Sequence, residues 1–241
     1  MYWRPYGLYF KSSFGNGYRY LDRCGEFLLA AEAVGFMPGE ATPTGGQLTL
    51  PEINLQVQLN SRELNVQQEL VPNIGNFTES CEHLSKLAEK FFGPLDIQSF
   101  SFTGKWFHPS ATEEEAKHAT LFWKQKPQDE LAKLLDMVPD ALRVDYNFSS
   151  GKSDLHVAIY PIAFATVTKQ HAGRGFLATR DFRKRVSRSE AAKFDNPAES
   201  SSYGLMMDAQ FIELDPPPFD WEKERQRYLA REQLLVKHFN Q

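Results

Sequence analysis

The stretch "INLQVQLNSRELNVQQEL", residues 53–70, constrains the fold more than any other part of the chain. Ile53, Leu55, Val57 and Leu59 alternate with Asn54, Gln56, Gln58 and Asn60. After Ser61-Arg62 the register resumes with Leu64, Val66, Gln68 and Leu70. A period of two sends successive side chains to opposite faces of a strand, so one face is apolar and the other is lined with amides. A sheet that buries one face and wets the other is antiparallel, and the short Ser-Arg interruption makes the stretch a hairpin.

Helical spacing brackets this hairpin. Tyr20, Leu21, Cys24, Phe27, Leu28, Ala31 and Val34 predict a helix over about 18–34. Gly35, Pro38 and Gly39 stop it, and 37–46 reads as a turn-rich loop. Phe77, Cys81, Leu84, Ala88 and Phe91 predict a helix over 77–92, opened by an Asn76/Glu79 capping box and ended by Gly93-Pro94.

The second half follows the same order. Residues 97–107 read as a strand, like 6–10 in the first half. Thr112-x-x-Glu115 opens helical material to about 137, interrupted at Pro127. "ALRVDYNF" and "LHVAIYPIAFATV" form a hairpin over 141–167; a further strand follows at 203–214, then a triple-proline linker and a helix over 219–239. Consecutive antiparallel strands with segregated helices predict an α+β fold: a mainly antiparallel sheet of about six to eight strands, with amphipathic helices on one face. We expect a single domain of two pseudo-repeats, roughly 1–93 and 94–241, with an Arg-rich insertion at 169–202. The two halves share a pattern and no residue-level similarity.

Composition fits a protein with a real core: 241 residues, 41% hydrophobic and 19 phenylalanines. Two cysteines, Cys24 and Cys81, cannot build a disulfide framework and read as buried free thiols in a reducing compartment. The N-terminus lacks the basic and apolar regions of a signal peptide, and no apolar run approaches the ~20 residues of a membrane span. The expectation is therefore a soluble, cytoplasmic protein that does not enter a membrane.

Chemistry is sparsely signposted. There is no GxSxG, Walker-type loop, HExxH or complete GxGxxG, and the triplets at 15–17 and 173–175 read as turns. Glu114, Glu115 and His118 share one helical face, but first-turn acids suit the helix dipole without a metal, and no metal or cofactor is expected. Asp145, Asp154 and His156 fall on the wet face of the 141–167 hairpin, where they could serve acid–base catalysis. The amides of 54–60 are read as a solvent face, with a binding platform as the alternative.

The strongest functional signal is charge. Eight Lys and Arg fall between 169 and 193 beside two acids, a +6 stretch in a chain of net charge −4, which leaves −10 on the rest. Arg174, Arg180, Arg183, Lys184, Arg185 and Arg188 are the candidate contact residues. Arginine's planar fork suits carboxylates and phosphates better than solubility alone requires. The expected role is binding or assembly without catalysis, by docking on an acidic protein surface, another copy of this acidic chain, or nucleic acid. The alternatives are a hydrolase or transferase built on Asp145, Asp154 and His156, and a structural subunit that self-associates.

Overall fold

The computed structural model of the protein describes residues 3–15, 19–42, 45–69, 73–122, 143–163, 203–214 and 220–239. Its first half contains β1 (Arg4–Phe14), α1 (Tyr20–Ala33), β2 (Met37–Thr42), β3 (Gly45–Leu50), a short 3-10 turn (Pro51–Ile53), β4 (Leu55–Leu59), β5 (Glu63–Glu69) and α2 (Ile74–Phe92). The second half contains β6 (Ile97–Ser110), α3 (Glu113–Phe122), β7 (Val144–Ser150), β8 (Ser153–Ala163), β9 (Tyr203–Leu214) and α4 (Trp221–Phe239). The strands form one sheet in the order β2-β3-β4-β5-β1-β6-β9-β8-β7. The fold is α+β with a large antiparallel sheet, as the alternation requires, and its nine strands exceed the expected six to eight.

The surplus comes partly from 37–46, read as a loop, whose described residues instead carry β2 and the start of β3. β2 hides from pattern reading because it ends the described sheet. Its side chains are almost all exposed, so no alternation marks it, and Pro38 is tolerated where a missing donor costs no ladder bond. Its register also shifts between Pro38 and Ala41.

The chain divides into two compact units. One comprises Pro5–Gly104, Phe148–Leu155 and Gln210–Gln241. Within it the alternating hairpin pairs as expected, with Val57 opposite Val66 and Leu59 opposite Leu64. β1 continues the ladder, with Phe10 opposite Val66. Leu8, Phe10, Leu55, Val57, Leu64 and Val66 are all buried, and each contributes about 1.5–3 kcal/mol by leaving water. Aromatic contacts join the helices to one another and to the sheet, and Trp221 of α4 lies 5.0 Å from Phe10. Phe27 of α1 meets Phe92 of α2 at 5.6 Å, and Tyr228 of α4 stacks on Phe102 of β6 at 4.7 Å. α2 starts one turn earlier than the sequence reading. Asn73, not Asn76, is the cap, its side chain accepting from the Asn76 backbone N–H at 3.0 Å.

The other unit comprises Met1–Arg4, Lys105–Asn147 and His156–Ala209. Successive residues of β8 (Val157–Ile159) and β9 (Leu205–Met207) are buried, so both faces of these strands are covered. β9 runs very close to β6: a Cβ on Gly204 would stand 2.4 Å from the His108 carbonyl oxygen and from the Phe107 ring. Only glycine fits that approach.

Candidate functional site

The β7–β8 hairpin turns at Gly151, whose φ of 63° suits a residue without Cβ. In the unit that holds its outer part, Asp145 and His156 come together as the alternation implied: His156 Nε2 lies 3.1 Å from Asp145 Oδ1. Both side chains remain about a third exposed, at 37% and 35%. Arg143 donates from Nε to both Asp145 oxygens, at 2.9 and 3.1 Å, and its guanidinium lies 5.4 Å from the centre of the Tyr160 ring. The Tyr160 hydroxyl donates to Asp208 Oδ2 at 3.0 Å. A carboxylate bonded to an imidazole can hold that ring in place for general-base chemistry. The same carboxylate is shared with an arginine, which gives it a structural role as well.

Asp154 belongs to the other unit and lines a groove there. The groove has a volume of 290 Å³ and is walled by Phe148, Leu155, Phe211, Leu234 and Leu235, with Ser149, Ser150, Ser153, Asp154 and Arg231 as its polar groups. Ser153 and Arg231 also belong to an ion cluster that sequence reading missed. Glu213, at the end of β9, is only 7% exposed and accepts from the Ser153 hydroxyl, from Arg227 at 3.2 Å and from Arg231 at 3.1 Å. Arg227 also reaches Glu224. The signal was present but faint: one of two acids within the apolar run of 203–214, and two arginines four apart on the last helix.

The amide face resolves into internal bonding. Gln67 donates to Gln56 at 2.7 Å and Asn65 to Glu63 at 2.8 Å. Lys11 pairs with Glu63 at 2.6 Å, and this hydrogen bond holds the Glu63 carboxyl below its ordinary pKa. Gln68 lies on the buried side and donates to the Ile53 carbonyl. These amides knit the hairpin together, which favours the solvent-face reading.

Glu115 acts as a helix cap: its carboxylate accepts from the Ala111 N–H at 2.8 Å, while Thr112 Oγ1 accepts from the Glu115 N–H at 3.1 Å. Cys81 is buried, and that burial pushes its thiol pKa well up, whereas Cys24 is half-buried; both are free. Arg174, Arg180, Arg183, Lys184, Arg185 and Arg188 lie outside the described residues, as do the helical material past Phe122 and the triplet at 173–175. No protein-family model matches the chain, and comparison with curated proteins gives no match.

Proposed function

We propose that the protein works by binding, docking an acidic partner surface through Arg174, Arg180, Arg183, Lys184, Arg185 and Arg188. The observation that carries this reading is the segregation of charge, +6 over residues 169–193 against −10 elsewhere. Opposed patches of this kind steer association and fix its orientation. The topology is favourable too. Tyr160 reaches Asp208, and β8, which ends at Ala163, neighbours β9, which begins at Tyr203.

The test is a salt titration of fluorescence anisotropy with two probes, a polyglutamate peptide and a short DNA duplex. The comparison variant changes Arg183, Lys184, Arg185 and Arg188 to Ala. For the peptide, the expected result is loss of most binding and of its salt dependence in the variant. Stronger binding of the duplex, with a log–log salt slope that flattens by about 0.9 per lost contact, would make nucleic acid the partner instead. Equal binding by both proteins to both probes would remove the proposal.

A second reading, acid–base catalysis, is favoured by the 3.1 Å contact between His156 and Asp145. It expects turnover of activated nitrophenyl esters or phosphates that falls about 100-fold or more in His156→Ala. Absence of turnover in the unaltered protein, or turnover untouched by the substitution, sets it aside.

A further inference from the structure

We infer that the groove beside α4 is a binding site for a small zwitterion with an apolar body, the chemistry of a free hydrophobic amino acid. Its 290 Å³ falls just below the ~300–1,000 Å³ typical of ligand pockets, which suits only a small molecule. Phe148, Leu155, Phe211 and Leu235 offer an apolar wall to a side chain. Leu234 and Phe148 are 67% and 55% exposed, so an occupant would take apolar surface out of water.

The charges select the head group. Arg231 spends Nη1 on Glu213 and lies 5.5 Å from the centre of the Phe211 ring. Its Nε and Nη2 have no hydrogen-bond partner among the described residues. Because Ser153 and Arg227 also hold Glu213, the carboxylate that orients Arg231 is itself fixed. A guanidinium held by one nitrogen keeps donors for a carboxylate. Asp154 lines the same groove and has no ion pair among the described residues. A simple carboxylate would be drawn by Arg231 and repelled by Asp154, and a simple amine would meet the reverse. A molecule bearing both charges satisfies both walls. None of the groove residues belongs to the basic segment, so this site stands or falls separately from the proposed docking role.

Calorimetric titration of the full chain with L-phenylalanine, L-leucine, 3-phenylpropanoate, phenethylamine and glycine tests the inference. At least one of the two hydrophobic amino acids is expected to bind, with each single-charge analogue and glycine weaker by roughly tenfold or more. Asp154→Asn should weaken the amino acid by about tenfold without weakening 3-phenylpropanoate, and Leu234→Asp should abolish binding. Both positions lie outside the buried ion cluster, so these variants keep the test independent of folding. Circular dichroism that matches the unaltered protein verifies that. Failure of both amino acids to bind at about 10 mM, equal binding of 3-phenylpropanoate, or indifference to both substitutions would overturn the inference.

Discussion

Tyr228 shows what a single hydroxyl can cost. Its side chain is 3% exposed and its ring stacks on Phe102, yet its oxygen has no hydrogen-bond partner among the described residues. An unmet buried polar group costs about 1–3 kcal/mol. Tyr228→Phe keeps the ring and removes that cost, so it should stabilise the protein by about 1 kcal/mol, read as a rise of ~2–4 °C in calorimetric Tm. Burial, with the Glu232 charge as a lesser cause, also pushes the Tyr228 pKa far up. Tyr6 moves the same way by burial and Glu69, and Tyr20 is pushed up to about 12 by burial, with Cys24 a lesser cause. In the unfolded chain these phenols ionise near pH ~10. Folding thus favours their protonated forms. That stability is whole below pH ~10 and is lost as the pH rises through 12 and beyond. In an alkaline titration, part of the tyrosinate absorbance should appear only in step with the loss of circular dichroism. Full ionisation of all nine tyrosines before any unfolding would contradict this burial.

Among the elements, β9 and α4 are joined by a buried charge rather than by apolar contact alone. Glu213 meets two arginines that are themselves a third or more exposed, so solvent screens part of each pair. Glu213→Gln keeps the shape and removes the charge. We expect a loss of about 2 kcal/mol in urea unfolding, within the range for hydrogen bonds to charged groups. An unchanged midpoint would show that the cluster sets orientation without adding stability. The register of helices and strands was legible wherever one face was buried. The hairpin at 53–70 and the last helix follow from periodicity, and the structure places them within a residue or two. β2 was not legible, because periodicity requires a buried face and β2 has none. The cap of α2 was misplaced because Asn73 and Asn76 both offer suitable side chains, and sequence alone does not choose between them.

For the whole molecule, the strand order runs alike in both directions from the centre: β1-β5-β4-β3-β2 one way and β6-β9-β8-β7 the other. In each direction the first strand of a half neighbours the last strand of its meander. That shared order is a likeness of topology alone, since the two halves share no residue pattern beyond it. The candidate sites were legible to different degrees. The meeting of Asp145 with His156 follows from strand parity alone. The groove does not, because it needs Phe211 and Arg231, which are far in sequence from the hairpin and come beside it only through the fold. The adjacency of β8 and β9 has one more consequence. The entropy of joining two strand ends grows only as the logarithm of the chain between them, about 0.6 kcal/mol per doubling. Pairing of β8 with β9 therefore depends only weakly on how many residues separate Ala163 from Tyr203 in the chain.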